Sequence, residues 1–143
     1  MELGEDNAKG AIQADTEATD FLAAMKARHS VRAYTDRVLP QAIIERLNDK
    51  IVSLNSRYGL HIQLVTQEPK AFTGILSYGQ FSGVKNYFAM IGKQTQFLDE
   101  QIGYCGEQLV LLAQILGLNT CWVGVSYRAV ADAYHIAKGE RLA

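Results

Sequence analysis

Residues 97–118 read FLDEQIGYCGEQLVLLAQILGL, and the fold class turns on how that stretch is read. Ile102, Leu109, Val110, Leu111, Leu112, Ile115, Leu116 and Leu118 fill more than one stripe of a helical repeat. The pattern predicts a helix over Phe97–Leu118, the longest in the chain and buried on most sides. In a chain of 143 residues, so apolar a helix implies a subunit interface as well as a core. Gly117 and Asn119 end it.

Working outward toward the C-terminus, Thr120–Val125 reads as a strand. Ser126 caps a further helix to about Ile136, and Glu140–Ala143 begins another strand. Toward the N-terminus, Tyr87–Ile91 reads as a strand closed by Gly92. Before it, Lys70–Lys85 is a long connection carrying Gly74, Gly79, Gly83, Phe72, Tyr78 and Phe81. Connections of that length inside a compact domain are usually functional. His61–Thr66 alternates and predicts a half-buried strand, turned by Glu68-Pro69. A helix starts near Pro40 with the stripe Ile43, Leu47, Ile51, Leu54 and ends before Tyr58-Gly59. A first helix over Glu17–Ala27 puts Phe21, Leu22 and Met25 on one face. Residues 1–16 are an acidic tail without apolar period, and residues 17–143 form one domain. This order predicts an α+β fold, a small mixed or antiparallel sheet flanked by helices.

Composition narrows the function. Apolar residues at 48% and charged residues at 20% are ordinary globular values. Fourteen basic against 15 acidic side chains give a net charge of −1, with no general pull toward nucleic acid or anionic membrane. No apolar run approaches the roughly 20 residues of a membrane span. Cys105 and Cys121 are far apart and outside any C-x-x-C, which reads as reduced thiols in a cytoplasm. No two histidines have metal spacing, so no metal site is expected. Ser30 has no His and acid arrangement for a triad. No G-x-G-x-x-G follows a strand, so a resident nicotinamide site is not indicated.

The stretch Arg28-His29-Ser30-Val31-Arg32-Ala33-Tyr34 carries the chemistry. If extended, it turns Arg28, Ser30 and Arg32 to one side, over roughly 13 Å. Two guanidiniums flanking a hydroxyl suit a phosphate monoester, because Arg pairs phosphate oxygens bidentately and stays charged. The same spacing also fits a solvated basic edge, the commoner fate of a charge cluster.

The stretch resembles the R-x-S-x-R-x-[FY] signature of the nitroreductase family of FMN-dependent oxidoreductases. Ser53-Leu54-Asn55-Ser56 is similar to the family's S-x-N-S segment. Gly103-Tyr104-Cys105-Gly106-Glu107 and Leu116-Gly117-Leu118-Asn119-Thr120-Cys121-Trp122-Val123-Gly124 resemble its helix and flavin-passing strand, in the wording of the thermophile-type branch. The resemblance runs from about Thr19 to the C-terminus. It implies a nitroreductase-like three-layer α+β fold with the long helix at a homodimer interface and two identical FMN sites.

By the same resemblance, Arg28, Ser30 and Arg32 would hold the FMN phosphate and ribityl chain, with His29 beside them. Asn55 would reach flavin across the dimer. Val123 and Gly124 would lie against the isoalloxazine, with the Gly124 N–H near N5. NAD(P)H would visit as a transient reductant, and a nitro-, quinone- or other electron-poor small molecule would accept the electrons. No catalytic acid or base is needed, since the flavin carries the chemistry. Three departures stand out. Arg57-Tyr58-Gly59 replaces the family's Q-P-W. The family's late strand would follow Ala143, which implies a chain incomplete at its C-terminus. The loop Thr73–Lys85 is worded unusually. A non-catalytic FMN-binding carrier or sensor dimer is the alternative. Gly103 and Gly106 would let another helix or the flavin come close, and Glu107 would bond within the interface or touch flavin. Trp122 reads as core or as a stacking platform, and Tyr78, Phe81 and Tyr87 as a lid or as core.

Overall fold

A computed structural model describes residues 20–74 and 79–143. Residues 20–27 are helical (α1). The rest of the predicted first helix, the acidic tail and Tyr78 lie outside the described residues. Helix α2 spans Gln41–Tyr58 and α3 spans Leu98–Ile115, each 18 residues long, so the predicted longest helix has an equal. Gly59 closes α2 in the left-handed conformation at φ 64°. A residue without Cβ takes that conformation at least cost. Leu47, Ile51 and Leu54 of the predicted stripe are buried, whereas Val52 faces solvent.

The strands are β1 (Gln63–Val65), β2 (Tyr87–Ala89), β3 (Ile91–Lys93) and β4 (Glu140–Leu142). β1 pairs antiparallel with β2, and β3 pairs antiparallel with β4. A bridge between Leu60 and Gly92 continues the β1–β2 register, so β2 and β3 together run between β1 and β4. The predicted strand Tyr87–Ile91 is therefore longer than expected and interrupted at Met90. Gly92 lies inside β3 and does not close it. A Cβ there would stand 2.5 Å from Leu98 Cδ1 and 2.9 Å from Leu60 Cδ2, so the glycine lets α3 approach the sheet.

On one side of this sheet α2 and α3 bury Ile51, Leu54, Leu60, Ile62, Met90, Leu98, Ile102, Cys105 and Leu109. On the other side Val65, Ala89 and Ile91 pack with Tyr87, Ala133, Tyr134 and Leu142. β1 therefore has packing on both faces, while Gln63 and Leu64 stay half-buried as its alternation predicts and Val65 is buried on the second face. The third layer is loop. The helix predicted from Ser126 to Ile136 is absent; residues 131–133 make only a turn. Tertiary partners claim its backbone instead. Arg128 N–H donates to the Ala71 carbonyl at 2.7 Å, and the Gln63 amide donates to the His135 carbonyl at 2.7 Å and accepts its N–H at 2.9 Å. Burying Tyr134 and answering those groups outweighs a weak local helix preference. The predicted strand Thr120–Val125 is also absent. Only Thr120 pairs, in a parallel bridge to Ser30. The predicted strand at Glu140 is present as β4.

Candidate functional site

Helix α1 ends where Arg28 N–H donates to the Ala24 carbonyl at 2.9 Å. The chain then extends, as its sequence predicts, and pairs on two sides. Ser30 bridges Thr120, with Val31 N–H donating to the Thr120 carbonyl at 3.1 Å. Ala33 bridges Ser82; Ser82 N–H donates to the Arg32 carbonyl and Tyr34 N–H to the Ser82 carbonyl, both at 2.9 Å. One short segment is therefore wedged between the run leading to Gly124 and the end of the long Lys70–Lys85 connection.

Two details seal that arrangement. Gly83 has φ +71°, and a Cβ on it would meet the Tyr34 carbonyl oxygen at 2.3 Å. Only glycine permits that approach. The Tyr34 hydroxyl donates to the Val31 carbonyl. Burial first, and then the nearby Cys121 thiol, push its phenol up to about 12, against a downward pull from Arg32. The phenol accordingly stays a proton donor through the neutral range, and its neighbours again join residues 31–34 to residue 121.

Among the expected residues, His29, Ser30 and Arg32 are exposed and Arg28 is half-buried. The Arg28 Nε is fully shielded and finds no hydrogen-bond partner among the described residues. A buried cationic donor left unpaired is costly, and an anion is its natural partner. Val123 and Gly124 line a cleft of about 950 Å³, with Tyr34, Phe81, Tyr87 and Tyr127 among its other walls. A Cβ on Gly124 would meet nothing within 4 Å, so the space over its backbone is open.

The aromatics of the connection line the same cleft. Phe72 stands edge-on to Phe81 at 5.4 Å and to Tyr87 at 5.7 Å, and Tyr87 to Tyr134 at 6.4 Å. Lys85 reaches back to Asp36 at 2.8 Å and holds that carboxyl below the usual range. Both groups are near the surface, where such a pair adds little stability.

Asn55 has a different occupation. His61 N–H is spent on the Ile91 carbonyl, so the antiparallel alternation turns the backbone of Ile62 to the outer edge of β1. There the Asn55 side chain accepts Ile62 N–H and donates to the Ile62 carbonyl, each at 2.9 Å. The amide acts as a one-residue substitute for a further strand.

Pairing across 15 residues was not readable in sequence. The indole N–H of Trp122 donates to Glu107 Oε2 at 3.0 Å. Gly106 makes room for it, since a Cβ there would stand 2.4 Å from Trp122 Cη2. The only sequence signal was a glycine in the middle of an apolar helix, where a close approach is the usual reason. Among the described residues no group of three or more His, Cys, Asp or Glu could hold a metal ion. Nor is any described helix long and apolar enough to cross a membrane.

A family model described as "Putative TM nitroreductase" matches residues 20–143. The chain belongs to this nitroreductase family. Membership makes oxidoreductase chemistry its reaction class and accounts for the α+β fold with small antiparallel pairs. No curated protein and no solved structure matches this nitroreductase sequence. The match begins at Asp20, the first described residue of α1, and takes in the whole cleft lining, which starts at Ala33, together with Arg28, His29, Ser30 and Arg32, which stand outside that lining.

Proposed function

We propose that the chain is an FMN-dependent oxidoreductase that works as a homodimer and transfers electrons from NAD(P)H to electron-poor small molecules. The observation that carries this reading is the Ser30–Thr120 bridge. It sets the Arg-x-Ser-x-Arg segment directly beside the run that ends at Gly124. We read segments far apart in sequence, one suited to phosphate and one with bare backbone, as parts of one site: Ala33 and Tyr34 line the cleft, and Arg28, Ser30 and Arg32 lie on the same segment just outside that lining.

The residues fit the cofactor. Arg28 has an unanswered buried donor, and the cleft is open over Gly124. Arg28 and Arg32 would pair the phosphate, the Ser30 hydroxyl would donate to it, and His29 would lie at its side. Val123 would pack against the ring, and the Gly124 backbone N–H would donate to it without a side chain between. Asn55 is left out of this set because its amide is engaged at Ile62. FMN, when bound, supplies the hydride and electron chemistry. The chain's residues bind, orient and shield. Tyr34 and the Phe72, Phe81 and Tyr87 rings form apolar walls that keep water from the cleft. NADH or NADPH would donate and leave before a nitro or quinone compound enters the same place. Tyr104 on α3 is 61% exposed and Phe97 at its N-cap 56%, and these apolar positions support pairing of subunits there. Cys105 and Cys121 are free thiols, which supports a reducing, cytoplasmic setting.

An absorbance spectrum of the purified protein, followed by anaerobic titration with NADH and NADPH, tests this. Flavin bands that bleach on reductant and return with acceptor are expected. A yellow protein that no nicotinamide bleaches would instead be a carrier or sensor. A colourless protein whose melting temperature FMN leaves unchanged would refute cofactor binding, since a ligand selective for the native state must stabilise it. Arg28→Ala should lose flavin on purification.

A further inference from the structure

Between Thr120 and Arg128 the backbone belongs to neither antiparallel pair, yet Val123 and Gly124 sit on this run. Its ends are tethered by Thr120 to Val31 at 3.1 Å and by Arg128 to Ala71 at 2.7 Å. Between those ends stands Trp122, immediately before Val123. Its indole rests against α3 at Gly106, where a Cβ would stand 2.4 Å from Cη2, 3.0 Å from Cζ2 and 3.1 Å from Met90 Cε. The next residue along α3, Glu107, accepts the indole N–H at 3.0 Å. Trp122 remains 43% exposed, so it is not held there by core burial alone. A bare spot on the helix and a carboxylate beside it define one seat for the ring. A glycine in a helix interior weakens the helix, and here the indole explains its presence.

We propose that Gly106, Glu107 and Trp122 form a latch that fixes the Val123–Gly124 backbone at the height a flat ring requires. All three are positioning residues: they act through the 120–124 run and need not touch the cofactor. The proposal rests on the reading of that run as the FMN cradle. Without the latch the run loses the hold nearest Val123 and Gly124, and the ring loses its floor.

Trp122 is the single tryptophan of the chain, so intrinsic fluorescence reports the latch directly. The variants are Glu107→Ala, Glu107→Gln and Gly106→Ala, each titrated with FMN and read by flavin fluorescence. In the FMN-free proteins, Glu107→Ala and Gly106→Ala should red-shift Trp122 emission and raise its quenching by acrylamide. Glu107→Gln, whose amide oxygen still accepts the N–H, should keep the wild-type spectrum. FMN affinity should fall about 5- to 10-fold in Glu107→Ala, the scale of one lost hydrogen bond. It should fall further in Gly106→Ala and return in Glu107→Gln. Should Gly106→Ala fail to fold, the Glu107 pair decides alone. Wild-type protein that binds FMN, with variants that bind it equally, overturns the latch and leaves the cofactor reading intact. Wild-type protein that binds no FMN overturns both.

Discussion

Replacing Asn55 by Ala removes the group that answers the outer edge of β1. Ile62 is only 1% exposed, so its N–H and carbonyl depend on the Asn55 amide and have little access to water without it. Each buried backbone group left unpaired costs about 1–3 kcal/mol. Partial access of water to the vacated space lowers the sum, and about 2–4 kcal/mol is expected for Asn55→Ala. That is a large fraction of the about 5–15 kcal/mol that holds a domain folded. With a urea slope near 2 kcal/mol/M, the unfolding midpoint should drop by roughly 1–2 M. Asn55→Asp sharpens the test. Its carboxylate can still accept Ile62 N–H but repels the Ile62 carbonyl, so its pKa in the folded state is raised. A raised carboxyl pKa gives stability that is present at low pH and lost as pH rises through the folded value. The deficit of Asn55→Asp relative to wild type should therefore shrink between pH 7 and pH 5. The assay is urea unfolding followed by circular dichroism at both pH values, with FMN titration alongside. If Asn55→Ala stays within about 0.5 kcal/mol of wild type while its FMN affinity falls tenfold, the edge-capping account is wrong and Asn55 serves the cofactor.

Other perturbations have signs the structure sets. Gly59 and Gly83 both have positive φ, but only at Gly83 would a Cβ strike backbone, the Tyr34 carbonyl at 2.3 Å. Gly59→Ala should cost about 1 kcal/mol and Gly83→Ala at least about 2 kcal/mol, read by thermal unfolding; equal losses would remove the close approach as the reason for Gly83. On α3, a Cβ at Gly103 meets nothing within 4 Å, so Gly103→Ala should stabilise the folded subunit by about 0.5–1 kcal/mol, and a loss instead would mean that another surface packs there. Glu140 accepts from His61 Nδ1 at 2.8 Å and from the Ala137 N–H at 2.9 Å, and these bonds, that from His61 foremost, hold its carboxyl below the ordinary 4.5. A depressed carboxyl stabilises the fold above its unfolded value and loses that contribution as pH falls through its folded value. Stability should therefore drop more steeply below about pH 4.5 in wild type than in Glu140→Gln, and parallel acid limbs would deny Glu140 that part.

The sequence could be read well wherever neighbouring residues decide the outcome. The stripe Leu47, Ile51, Leu54 and the left-handed Gly59 locate α2 almost to the residue, because helical period and cap chemistry are local. The alternation of Arg28, Ser30 and Arg32 correctly marks an extended run. Local signals failed over residues 120–136. There the strand and helix predicted from pattern give way to loop, since Val31, Glu107, Gln63 and Ala71 supply the backbone and side-chain partners from far away in the chain. The Phe97–Leu118 pattern marks a buried helix but not which of its glycines receives a ring.

By itself, the order of residues determined the α+β class, the two long helices α2 and α3, and a basic, hydroxyl-bearing segment directly after α1. Only the tertiary structure decided that this segment lies against Thr120, that Asn55 is occupied by Ile62, and that Trp122 is seated on Gly106. The physical reason is range. Helix period, caps and strand alternation are written in residues a few positions apart, whereas edge capping, close backbone approach and orphaned donors exist only once distant segments compete for the same hydrogen bonds and the same space.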